Sequence, residues 1–241
     1  MPLHRLWISL LAVAPAFSQP NRPVDEGRTE AGLVRLTVIH HASLMIEAFG
    51  QVIHVDPWSA GNYDGLPQAD LILITHAHPD HLDPEMIAKL KKPGTLLLGP
   101  ETIRRSLAGA AVIRNGETRA FGEWTIEAVP AYNLQRGPAP GSVYHPKGEG
   151  NGYVLASSAG RCYIAGDTEA VPEMKDLKDI MVAFLPMDSR YTMTPMEAAE
   201  AARTFRPRIV YPYHYSRADV TAFEKAMTGS GIVVRVRDWY Y

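Results

Sequence analysis

The segment Leu71-Ile72-Leu73-Ile74 runs directly into Thr75-His76-Ala77-His78-Pro79-Asp80-His81. A short apolar run bounded by turn residues reads as a buried strand. Three imidazoles and a carboxylate are therefore delivered to a turn at a strand's carboxyl end. Three of the chain's nine histidines fall within six positions beside an Asp, a density that a polar turn arising by chance would rarely reach. His76 and His78, two apart on extended backbone, point the same way toward one ion. Asp80 and His81, reached after the Pro79 bend, turn toward a second.

Around this nest the chain alternates β-branched runs with turn residues: LVRLTVIH, SLMIEA, QVIHVD, TLLLG, WTIEAVP, GYVLAS, RCYIAGD, IMVAFLP, IVYPYHY and IVVRVRDW. Each is a strand candidate. Helix starts are marked by the capping box Thr194-Pro195-Met196-Glu197 and by Asp83-Pro84 before EMIAKLKK. Further helices are expected over residues 101–108, 172–177 and 218–227. Early strands follow one another and later ones alternate with helices, which predicts an α/β protein with helices on the outer faces of its sheets. The Gly- and Pro-rich residues 136–152 form the one long loop, a length often tied to function.

Chain length and charge narrow the classes. The 241 residues suit one large α/β domain. A net charge of -2 without a basic run argues against a nucleic-acid binder. The single cysteine, Cys162, lies in an apolar stretch and reads as a small buried hydrophobe. Residues 1–18 carry an early Arg, an apolar run too short to span a bilayer, and small residues at Ala14 and Ala16. That pattern predicts a signal peptide, an exported mature chain with no transmembrane segment, a linker over 19–32 and a folded domain over 33–241.

His76-Ala77-His78-Pro79-Asp80-His81 resembles the H-x-H-x-D-H signature of metallo-β-lactamase-fold hydrolases, and other segments agree in order. Val55-Asp56-Pro57 resembles the family's strand-end Asp, Gly166-Asp167-Thr168 its GDT motif, and Pro212-Tyr213-His214 its last metal-binding motif. The resemblance implies an αββα sandwich of two mixed sheets with the site along one edge. It implies two divalent metal ions, with zinc favoured over Mn or Fe. The implied ligands are His76, His78, Asp80, His81, Asp167 as the bridge and His214, with Asp56 orienting a ligand imidazole.

One position departs from the common pattern. Many members place a histidine after the strand that ends here at Ala131-Tyr132, where this chain has Asn133. A branch related to the ascorbate-6-phosphate lactonase and N-acyl-phosphatidylethanolamine phospholipase D groups carries an HPKG segment before a G-Y strand. His145-Pro146-Lys147-Gly148 matches it, so His145 is expected to complete the first metal's ligands. An imidazole also suits such an ion better than an Asn amide oxygen, which favours hard cations.

His41-Ala42-Ser43 resembles a turn near the active-site rim of the same branch, which gives His41 a substrate or supporting role. Tyr191 and Lys147 are expected to line the pocket, and His40 and His54 to serve the core. The expected activity is hydrolysis of an ester, lactone, amide or phosphodiester of a small or lipid-like substrate by a metal-bound hydroxide, with Asp80 and Asp56 as the catalytic carboxylates. The alternatives are a phospholipase D-like phosphodiesterase and a non-catalytic metal-binding protein on the same fold.

Overall fold

A computed structural model describes residues 22–30 and 32–241. The proposed signal segment, 1–18, lies outside the described residues. Two seven-stranded sheets pack face to face. The first holds β1 (Val24–Thr29), β2 (Gly32–His40), β3 (Ser43–Ala48), β4 (Gln51–Val55), β5 (Ala69–Leu73), β6 (Lys91–Gly99) and β7 (Ala111–Val112), in chain order across the sheet. The second holds β8 (Thr118–Phe121), β9 (Trp124–Ala131), β10 (Gly150–Ser157), β11 (Gly160–Ile164), β12 (Ile180–Pro186), β13 (Ile209–Tyr213) and β14 (Val233–Val234), again sequential. Each sheet begins antiparallel and turns parallel, at β4–β5 and at β11–β12 respectively.

The pleat sorts the apolar runs into layers. In β5, Leu71 and Leu73 face the second sheet. Ile72, and Ile74 just beyond the strand, face outward onto α1 (Pro84–Leu90) through Met86, Ile87 and Leu90. In β12, Val182 and Phe184 face inward. Ala183 and Leu185 face α2 (Pro195–Phe205) and α3 (Val220–Met227), whose contacts include Ala198, Ala202, Phe205 and Phe223. Because both faces of these strands are covered, they read as continuous apolar runs. Each fully buried Leu, Ile or Phe contributes roughly 1.5–3 kcal/mol of transfer free energy.

The helix starts form as their sequences dictate. Asp83 accepts from the Glu85 and Met86 amides. Thr194 and Glu197 close a reciprocal capping box with Pro195 at the first helical position. Residues 101–105 and 172–176 instead form 3-10 turns, each too short to sustain an α-helix.

The segment expected to be a linker differs more. Val24–Thr29 pairs along β2 as an edge strand, with no apolar period to betray it. Its Asp25 carboxylate accepts from Arg237 at 2.6 and 2.8 Å and from the Tyr211 hydroxyl at 3.0 Å, tying the first sheet to the second. No helix among the described residues is long and apolar enough to cross a membrane.

Candidate metal centre

The carboxyl ends of β4, β5, β9, β11, β12 and β13 reach one edge of the sandwich, and the chemistry-bearing residues sit just beyond them. Such strand ends are where α/β sheets commonly place ligands. Several of these residues leave their strands with left-handed backbone: Asp56 at φ 44°, His214 at φ 46° and His41 at φ 57°. That conformation is costly for non-glycine residues and clusters at functional sites. Gly166, at φ +66°, supplies the turn before Asp167, and a Cβ there would meet the Asn151 carbonyl at 2.9 Å.

Two groups of donors converge. In the first, one ligand atom each from His76, His78 and His145 lies within 4.8 Å of the others. The His145 Nε2 stands 3.2 Å from His78 Nδ1 and 3.3 Å from Asp167 Oδ2. In the second, His41, Asp80, His81 and His214 meet the same spacing. Asp167 lies between them, its Oδ2 3.2 Å from His214 Nε2 and its Oδ1 3.4 Å from His81 Nε2. The six other ligands expected from the sequence are therefore gathered around the Asp167 carboxylate.

The surrounding bonds orient the rings. Asp56 is fully buried, accepts from the Thr75 amide and hydroxyl at 2.7 and 2.6 Å, and holds His81 Nδ1 at 2.8 Å. It turns His81 Nε2 toward Asp167 and acts as a positioning residue. Asn133 does for His145 what a carboxylate does for His81. Its Oδ1 accepts from the His145 backbone N–H and faces His145 Nδ1 at 2.6 Å, while its Nδ2 donates to the Tyr191 carbonyl. Asn133 thus points the other ring nitrogen of His145 into the site.

The loop carrying His145 is anchored by Glu169, which accepts from the Gln135 and Arg136 amides and pairs with the Arg136 guanidinium at 3.2 Å. Asp188, just beyond β12, escaped the sequence reading. Its Oδ2 faces His214 Nδ1 at 3.3 Å, and its Oδ1 accepts from the Arg190, Tyr191 and Thr192 amides. Asp188 lies two residues past the end of the apolar strand β12, and no local pattern in the sequence ties it to a histidine.

Electrostatics agree with this geometry. Burial alone would raise the Asp167 carboxyl, but the His214 and His81 rings and hydrogen bonds from His145 and His214 hold it well below the usual range. Burial works against Asp80 in the same way, and contact with His41 and the charges of His81 and His214 outweigh it, so it stays ionised. Burial disfavours a charged His214, yet Asp167 and Asp188 push it well above the ordinary histidine value.

The donor set fits divalent transition metals. It is imidazole and carboxylate without thiolate, and the buried His81 Nε2, His214 Nε2 and Asp167 Oδ1 have no aligned hydrogen-bond partner among the described residues. Ligating groups arranged for an ion leave such atoms unpaired by one another. Cys162 offers no competing chemistry, its thiol being pushed up to about 12 by burial.

A cleft of about 430 Å³ opens onto the first group, lined by His76, His78, Thr102, Tyr144, His145 and Asn151 among others. A second cleft at the opposite end of the sandwich, beside Trp124, Met181 and Tyr211, has no histidine in its lining. Lys147, expected to line the pocket, instead pairs with Glu173 at 2.6 Å beside the Tyr132 ring. Tyr191 packs against Tyr144 with ring centres 4.8 Å apart.

Residues 35–214 match the family model described as the beta-lactamase superfamily domain. A UPF0173 metal-dependent hydrolase from Methanopyrus kandleri is 31% identical over 221 residues, covering 84% of this chain and 95% of the relative. The crystal structure of a Parabacteroides distasonis protein, inferred to be a metal-dependent hydrolase, superposes with a TM-score of 0.85 at 45% identity over 90% of this chain and 98% of that one. Igni18, a metallo hydrolase from Ignicoccus hospitalis, superposes with a TM-score of 0.70 at 27% identity, over 85% of this chain and 95% of its own.

Proposed function

We propose, from the premise that this chain belongs to the metallo-β-lactamase superfamily and is a metal-dependent hydrolase, that it is a dinuclear enzyme cleaving a neutral acyl bond. The observation carrying the dinuclear reading is the buried Asp167 carboxylate, which clusters with His76 of one donor group and His81 of the other and so joins the two. One tetrahedral ion cannot use seven donors. His76, His78 and His145 would hold the first ion, Asp80, His81 and His214 the second, and Asp167 both, with zinc the favoured metal. Bound there, paired divalent ions lower the pKa of a coordinated water toward ~7 and stabilise attacking and leaving oxygens.

The chain's own residues supply the rest. Asp56 and Asn133 fix the tautomers of His81 and His145, so each presents one ring nitrogen to the centre. Asp80 keeps 36% of its side chain accessible, whereas Asp56 and Asp167 keep 0% and 4%. It is the ionised carboxylate placed to accept a proton from an attacking water and to return it to the leaving group.

The bond type follows from the cleft. No Lys or Arg lines it among the described residues, and Glu149 does, which favours a neutral acyl bond over a phosphodiester. An ester, lactone or amide of a small or lipid-like molecule suits this lining better. A panel of esters, lactones, amides and phosphodiesters tests the reading with metal-loaded protein. Turnover of neutral acyl substrates and its loss on chelation are expected, while turnover confined to phosphodiesters would favour a phosphodiesterase.

Export of the mature chain is part of the same proposal and rests on the pattern of residues 1–18. Mass spectrometry of protein from the native host is expected to find the chain starting between residues 17 and 19. An intact Met1 on cytoplasmic protein would contradict it.

A further inference from the structure

His41 lies at the end of β2, far in sequence from the histidine nest, yet its Nε2 stands 3.2 Å from Asp80 Oδ2. The same carboxylate oxygen is 3.9 Å from His214 Nε2 and 4.0 Å from His81 Nε2. Two donors bound to one ion at about 2.1 Å sit about 3.0 to 4.2 Å apart, depending on the angle between them. The His41 ring also lies against the ring of His214, 3.8 Å between centres and tilted by 44°.

This placement is built rather than incidental. The His41 amide donates to the Trp239 carbonyl at 3.1 Å, and its own carbonyl accepts from the His214 amide at 3.0 Å. The two residues are locked together at the backbone, both with left-handed φ. On the ring's far side, Nδ1 meets the Tyr240 hydroxyl at 2.9 Å, and that hydroxyl accepts from the Ser216 amide at 2.7 Å.

We propose that His41 is a protein ligand of the second metal ion, joining Asp80, His81, Asp167 and His214 through its Nε2. The proposal rests on the dinuclear reading above. A carboxylate only accepts, so the contact with Asp80 puts the ring proton on Nε2, with Tyr240 donating to Nδ1. The other tautomer is equally well served. With the proton on Nδ1, the Tyr240 oxygen accepts it with one lone pair and the Ser216 amide with the other, and the Nε2 lone pair is free for the ion. The ring stays neutral and no net proton is gained or lost. A ligand histidine whose other nitrogen is held by an outer group is the usual arrangement at metal sites.

The competing account makes His41 only a donor that positions Asp80, and two substitutions separate them. His41→Asn suits the left-handed backbone, which Asn tolerates. His41→Gln reaches farther, and either amide can donate to Asp80 while lacking an imidazole nitrogen. The full chain, stripped with a chelator, is titrated with Co²⁺ and followed by calorimetry and by visible absorption. The wild type is expected to bind two ions. Both variants are expected to keep the first ion at wild-type affinity, which also reports that they are folded, and to bind the second more than about 100-fold weaker. That exceeds the ~10–100-fold cost of losing an outer-shell partner. The absorption of the second ion is expected to change as well.

A smaller loss with an unchanged spectrum overturns the inference and leaves His41 as a positioning residue. Two ions bound equally by wild type and variants overturn it alone. A wild type that binds one ion overturns the inference together with the dinuclear reading.

Discussion

The two donor groups are built differently although they share Asp167. His81, in the turn before α1, and His214, just beyond β13, are buried and backed by carboxylates, Asp56 and Asp188. In the first group His78 is exposed, and His145 rides on a long loop, backed by the neutral amide of Asn133. A carboxylate behind an imidazole raises its basicity and fixes its orientation, whereas an amide mainly fixes orientation. The second group is thus the rigid, strongly donating half, and the first is the half that opens onto the cleft. On the proposed dinuclear reading, the difference assigns metal retention to one half and contact with substrate to the other.

The sharpest way to break this comparison is to remove what the halves share. Asp167→Ala takes away the negative charge between two cations and is expected to lower turnover by orders of magnitude and to reduce metal content at both groups. Metal analysis alongside a kinetic assay checks it, and retention of both ions would remove the bridge from the account.

Next in size, His145→Ala is expected to lose the first ion and most activity while the second ion stays. Asn133→Ala should keep both ions, with an activity loss of ~10–100-fold as the His145 ring loses its guide. The opposite ranking in metal content would make Asn133 the ligand.

The third test weighs the two backing groups against each other. Asp188→Asn keeps the shape but not the charge facing His214, and is expected to weaken the second ion by ~10–100-fold. Equal effects on both ions in a calorimetric titration would erase the asymmetry between the halves.

The last test concerns a histidine outside both groups, where activity and metal content are not at stake. His54 is buried in β4, its Nε2 bonded to the Pro67 carbonyl at 3.0 Å, and burial pushes it down to about 4. Its neutral form is the folded form. Its stabilisation is therefore complete above about pH 6.5 and is lost as pH falls from there toward 4, by up to on the order of 3 kcal/mol. Urea unfolding of wild type and His54→Gln, whose amide can bond Pro67, is expected to show the wild type losing more stability across that window. Parallel losses would mean that His54 does not titrate there.

Much of this was legible because it is local. The apolar run Leu71–Leu73 and the turn after it specify a strand end bearing ligands, and period-two alternation sorts such runs into layers without any long-range information. The HPKG context pointed to His145, and the fold brings its ring beside His76 and His78. Asp188 was not, because a lone Asp after a strand serves turns as readily as it serves imidazoles, and only tertiary packing brings it to His214. Nor was β1, whose sequence VDEGRT has no apolar face and is ordered by pairing with β2 and by the Asp25–Arg237 contact. Lys147 misled for a related reason: its partner Glu173 lies 26 residues away and draws it off the cleft.

The central claim is that Asp167 bridges two ions held by unlike halves. The most direct measurement is anomalous diffraction from crystals of the zinc-loaded protein. The account predicts two peaks about 3.5 to 4 Å apart on either side of Asp167. One lies among His76, His78 and His145, and the other, with the higher occupancy under limiting zinc, among Asp80, His81 and His214. A single peak at saturating zinc, or a second peak outside these residues, would contradict it.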